Sequence, residues 1–218
     1  MSQRDNTDGN VPSMDCNDQD EVSMQWRAFY GYGSWICDWM DHNHDLYLLT
    51  FMFEHMSGSR GSINARMIAD VGHFWRTLSK WIVRRNRTAP HHLLPKLIAF
   101  PDRPVFKRKK QTLAQVTIND GQHVHGALAI PPTTRMKDDL PNHVASQSVY
   151  TDARYTKIRD IHVKPITSRP AYTVGYALKG LKYGFADTDD LLILPMSSSE
   201  VPPRQRRKPD QDREPIRW

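Results

Sequence analysis

"GQHVHGALAIPP", residues 121–132, is the stretch on which the reading of this chain turns. On an extended strand alternate side chains point to opposite faces. His123 and His125 would then project together, while Val124, Gly126, Leu128 and Ile130 turn the other way, toward a core. Two adjacent imidazoles can hold a divalent metal. A polar sheet face carrying two unrelated histidines satisfies the same pattern, so the choice rests on the rest of the chain.

Upstream, "TLAQVTIND" (112–120) also alternates, with Ala114, Val116 and Ile118 on one side and Gln115, Thr117 and Asn119 on the other. "NDG" is a hairpin signal. A two-residue turn at Asp120-Gly121 would set Val116 and Ile118 against the histidines and mix the faces. A three-residue turn, Asn119-Asp120-Gly121, pairs Thr117 with His123 and Gln115 with His125 and keeps both polar sets together. Gln115 is then a candidate third metal ligand through its amide oxygen. Glu54, at the end of an earlier strand, is the fallback.

That earlier strand is "LYLLTFMFE" (46–54), a dense apolar run that reads as buried and central in a sheet. From Ser62, apolar residues recur at Ile63, Met67, Ile68, Val71, Phe74, Trp75, Leu78, Trp81 and Ile82, which predicts a long amphipathic helix. Residues 22–40 are rich in aromatics at loosely helical spacing, and "LLPKLIAFPDRPVFKRKK" reads as loop and short strand. Residues 155–166 read as another strand, 169–184 as a helix, and "DDLLILP" follows. The order predicts an α+β domain over 21–196: a central antiparallel sheet with its helices largely on one face. Residues 1–20 and 197–218, biased in charge and in proline, read as disordered arms.

Charge is uneven along the chain. Residues 1–22 hold one base and six acids, and 197–218 hold six bases and four acids. With a formal net charge of +6 overall, the body between them carries +9. A basic body suits a nucleic-acid partner. Arg84, Arg85, Arg87, Lys107, Arg108, Lys109 and Lys110 are the candidate phosphate contacts. No apolar run is long enough to span a membrane, and the polar, acidic first residues do not read as a secretory signal. Two cysteines without metal spacing give no disulfide framework, so a cytoplasmic setting is expected.

A second chemical element lies in "AYTVGYALKG" (171–180). Tyr176 and Lys179 are three apart and share a helical face. A tyrosine can act as a covalent nucleophile, and a nearby cation opposes the charge of a phenolate or of a phosphoryl transition state. Tyr172 lies four residues earlier on the same face, with Gly175 three residues after it.

An apolar strand with "LLTF" (48–51), then "HVHG" (123–126), then "YALK" (176–179), in that order, resembles the HUH endonucleases of rolling-circle replication initiators. The resemblance spans residues 46–180. It implies a ferredoxin-like fold in which His123 and His125 hold Mg²⁺ or Mn²⁺, with Gln115 where relatives often carry a glutamate. It further implies that Tyr176 nicks single-stranded DNA at an origin through a 5′-phosphotyrosine link, with Lys179 assisting, and that the link is later reversed to rejoin strands. The chain has no GxxxxGK[ST] segment, so unwinding would fall to a host helicase. The alternative is a non-catalytic ferredoxin-like module for single-stranded nucleic acid, in which the histidines are spectators. "DHNHD" (41–45) also contains His-x-His, but its polar middle residue and its place before a strand predict a solvated turn.

Overall fold

The computed structural model describes residues 24–102, 122–167, 170–178 and 190–196. In chain order they form α1 (Met24–Asp41), β1 (Asp45–Phe53), α2 (Arg60–Ile82), β2 (Lys96–Asp102), β3 (His123–Ile130), α3 (Leu140–Ser146), β4 (Ile158–Pro165), α4 (Pro170–Ala177) and β5 (Leu192–Leu194). The strands make one five-stranded sheet in the order β4-β1-β3-β2-β5, with every pairing antiparallel. This is the expected α+β class. The expected arms at 1–20 and 197–218 lie outside the described residues.

Strand alternation divides the sheet into two chemically different faces. Tyr47, Leu49, Phe51 and Phe53 of β1, Leu97 and Ala99 of β2, and Val124, Leu128 and Ile130 of β3 point one way and form the larger core. Against them α2 lays Ile63, Met67, Val71, Phe74, Leu78 and Ile82, a stripe at spacings of three and four that only a helix can align. Ser59 starts this helix by accepting a hydrogen bond from the Ser62 amide at 3.3 Å. Gly126 is required where β3 meets β2, because a Cβ there would lie 3.1 Å from Leu97 Cδ1 and 3.3 Å from the Ile98 carbonyl oxygen.

The other face carries the histidines. Toward the beginning of β2 it is covered by α1 and by the end of α4, whose Ile36, Trp39 and Leu178 pack on Leu46, Ile98, Phe100, Ala127 and Ala129. The helices are therefore shared between the faces, with α2 and α3 on one and α1 and α4 on the other. The small Ala127 and Ala129 leave room for this second layer, whereas the sequence reading put the helices largely on one side. The "DHNHD" segment turns the chain from α1 into β1. Asn43 takes a left-handed φ of 57°, and His42 donates from Nδ1 to the Asp38 carbonyl at 2.6 Å, the pattern of a helix C-cap. Among the described residues no helix is long and apolar enough to cross a membrane.

Behind α2 a polar contact is sealed into the core. His143 of α3 and Tyr150 share a hydrogen bond of 2.8 Å, both buried, with the Phe74 ring 4.9 Å from Tyr150 and the Trp81 ring 5.3 Å from His143. Burial lowers the His143 pKa, which the Asp138 charge only partly opposes, and pushes the Tyr150 hydroxyl up. A histidine whose native pKa lies below its unfolded value near 6.5 takes up its proton more readily in the unfolded chain. Its contribution to stability is therefore complete above that value and is lost as the pH falls toward the native pKa. Urea midpoints followed from about pH 7.5 to about pH 5 should fall more steeply in the unsubstituted protein than in His143→Gln, which cannot titrate there.

Candidate metal centre

At the far end of β2, beyond the α1 cover, the histidine face gathers its polar groups. Antiparallel register sets Thr50 and Phe100 on either side of His125, and Met52 and Asp102 on either side of His123. The period of two then aims Asp102, His123 and His125 from the same face. The Asp102 Oδ2 atom lies 3.3 Å from His123 Nε2 and 3.4 Å from His125 Nε2, and the two Nε2 atoms are 3.0 Å apart. Asp102 is 1% exposed. A carboxylate so deeply buried requires a compensating charge or donor nearby.

These three residues form a group able to hold a metal ion. Donors about 2.1 Å from a shared cation are separated by about 3.0 Å in octahedral and about 3.4 Å in tetrahedral geometry, and the three observed edges fall in that range. Two imidazoles with one carboxylate suit a first-row divalent ion better than an all-oxygen site would. Thr50 supports the set, because its Oγ1 and His125 Nδ1 share a hydrogen bond of 2.9 Å. In the tautomer that donates from Nδ1 to Thr50, Nε2 keeps its lone pair turned toward Asp102 and His123. Thr50→Val should keep the fold and weaken Mn²⁺ binding about 10- to 100-fold, read by calorimetric titration.

Asp102 was not legible as a ligand from the sequence. Both edges of β3 are taken, by β1 and by β2, so the places opposite His123 and His125 that the hairpin register gave to Thr117 and Gln115 belong to other residues. Gln115 itself lies outside the described residues. Glu54 is exposed just past β1 and is not part of the trio. The usable signal was the apolar run "KLIAF" ending in Pro101-Asp102, a strand whose last inward position is acidic.

Tyr176 is brought to the same place. Its ring centroid lies 5.0 Å from that of His125, and the residue is 42% exposed, so it stands at the open mouth of the group. Lys179 lies outside the described residues, as do Lys107, Arg108, Lys109 and Lys110. Arg84, Arg85 and Arg87 are described and exposed, but they are not brought to the centre. They follow α2, which packs on the opposite face. Trp75 Nε1, two turns before the helix end, donates to the Pro95 carbonyl at 3.0 Å just ahead of β2, and the last carbonyl, of Ile82, accepts from the Arg135 amide at 3.2 Å beyond β3. Lys96 to Asp102 is about 20 Å of extended chain, so these arginines and the trio are separated along the sheet as well as through it. Compared with models of protein families, with curated proteins and with solved structures, the chain finds no match.

Proposed function

We propose that the chain is a metal-dependent nicking and rejoining enzyme for single-stranded DNA, working through a tyrosine-linked intermediate. The observation that carries this reading is the Tyr176 ring set against His125 at the mouth of the Asp102, His123 and His125 group. A spectator pair of histidines in a passive binding module gives no reason for a buried carboxylate to converge on both and for a phenol to stand over them. Asp102, His123 and His125 would hold the cation, Mg²⁺ or Mn²⁺ by the resemblance. When bound, the ion would supply charge neutralisation at a phosphodiester.

The residues of the chain divide the remaining work. Thr50 holds the His125 ring. The ring contact with His125 sets the phenol beside the group, so that attack becomes a matter of placement. Tyr176 Oη attacks phosphorus, the bond to the 3′-oxygen breaks, and the strand end stays on the tyrosine as a 5′-phosphotyrosine. Attack by a 3′-hydroxyl reverses the step without ATP, because the energy of the phosphodiester is kept in the link. This fits replication initiation by a plasmid, phage or mobile element, with an origin strand as substrate and a host helicase for unwinding, in a cytoplasmic setting. The test is incubation of the full chain with a random single-stranded DNA pool and Mn²⁺. A covalent adduct on a denaturing gel, absent with chelator, is expected. Tight DNA binding without any adduct would return the chain to the passive-module alternative.

A further inference from the structure

We propose that His162, held by Asp160 on the edge strand β4, is the general acid that protonates the departing 3′-oxygen during nicking and recovers the proton on rejoining; this rests on the reading above. Register carries it. β4 pairs only with β1 among the described strands, setting His162 beside Thr50 and Asp160 beside Met52, while the other side of β1 sets His125 beside Thr50 and His123 beside Met52. His125, Thr50 and His162 therefore form one row across a single face. The backbones of the two histidines are two strand spacings apart, about 10 Å.

Exposure shows which way a substrate can extend from the trio. Toward β2 the face is closed, with Asp102 at 1%. Toward β4 it is open, with the side chains of His162 and Asp160 at 68% and 55%. A strand entering at Tyr176 can continue over β1 onto β4. There His162 Nε2 lies 3.3 Å from Asp160 Oδ2, an ion pair when the imidazole carries its proton. Its neighbours are Asp160 and Lys164 on its own strand and, on β1, the non-titrating Thr50 and Met52; at the sheet edge it also lines a hollow with Arg159 and with Pro141, Val144 and Gln147.

The chemistry needs such a group. An alkoxide is a poor leaving group near neutral pH, and histidine is the side chain that exchanges protons there. The trio's Nε2 atoms face the candidate cation, His125 Nδ1 is engaged by Thr50, and Tyr176 is the nucleophile, which leaves His162 in the row. In the forward step the Tyr176 Oη–P bond forms and the P–O3′ bond breaks. The phenolic proton goes to solvent and the His162 proton to O3′, giving a 3′-hydroxyl. Rejoining returns a proton from that hydroxyl to His162, while Tyr176 regains one from solvent.

A substrate with sulfur in place of the bridging 3′-oxygen separates this role from all others, since a thiolate leaves without a proton. Using the site sequenced from trapped strands, with Mn²⁺ and the full chain, adduct formation is timed on the oxygen and sulfur esters. His162→Gln should slow the oxygen ester by about 100-fold or more, within the range of general-acid catalysis. It should cleave the sulfur ester within about threefold of the unsubstituted protein, and Asp160→Asn should show the same pattern more weakly. Equal losses on both esters would overturn the assignment, marking His162 as a DNA contact or a structural residue; so would no loss on either. If the unsubstituted protein forms no adduct with either ester, the reading beneath the assignment falls, and the assignment with it.

Discussion

Asp102→Asn is expected to cost at least about 100-fold in Mn²⁺ affinity, the upper end of what even an outer-shell partner contributes, and to abolish adduct formation. Asparagine fills the same volume, so the sheet should survive. What disappears is the only carboxylate among the three converging donors. Its amide would also present either a neutral oxygen or an N–H to two imidazoles whose Nε2 atoms already lie 3.0 Å apart. The change can be read without any DNA. An ion at about 100 times its dissociation constant stabilises the native state by about 2.7 kcal/mol. For a domain of this size that is a rise in melting temperature of about 5–10 °C. The unsubstituted protein should show that rise with Mn²⁺ and lose it with chelator. Asp102→Asn should keep no more than about 1–2 °C of that rise. An undiminished rise would remove Asp102 from the ligand set.

Tyr176→Phe should have the opposite division of effects. The ring beside His125 is kept, and so are the three donors, so the metal-induced rise in melting temperature should match that of the unsubstituted protein. Adduct formation should fall by about 10³-fold or more, as expected when a nucleophile is deleted from a set of groups that act together. Strand cleavage that continues without the hydroxyl would mean that water is the nucleophile.

The two proteins are informative together because they separate the ion from the nucleophile. A chain that holds metal for structure alone would lose stability with Asp102→Asn and would show no chemistry to lose with Tyr176→Phe.

Much of the fold was legible because it is written in short-range periodicity. The stripe from Ile63 to Ile82 could be nothing but a helix face, "LYLLTFMF" nothing but a strand with a core side, and Val124 set between two histidines fixed which way each pointed. The site was legible only in part, because half of it depends on which strands meet. The pairing of Asp102 with His123 joins residues far apart in sequence, and nothing local announces it. The hairpin signal at "NDG" suggested a neighbour close in sequence, whereas β3 fills both its edges with β1 and β2. The division of the helices was hidden for a related reason. Ala127 and Ala129 are neutral in a hydrophobic pattern, and only the packing of Trp39 and Leu178 above them reveals a second covered face. Arg84, Arg85 and Arg87 read in the sequence as candidate phosphate contacts, and they follow α2, which packs on the face opposite the histidines.

The most direct measurement is mass spectrometry of the trapped complex. The full chain is incubated with single-stranded DNA and Mn²⁺, digested with protease and nuclease, and sequenced for a peptide carrying a nucleotide. The account predicts a 5′-nucleotide on Tyr176, formed by the unsubstituted protein and missing from Asp102→Asn. Cleaved DNA with no nucleotide on any peptide, or a nucleotide on Tyr176 in undiminished yield from Asp102→Asn, would contradict it.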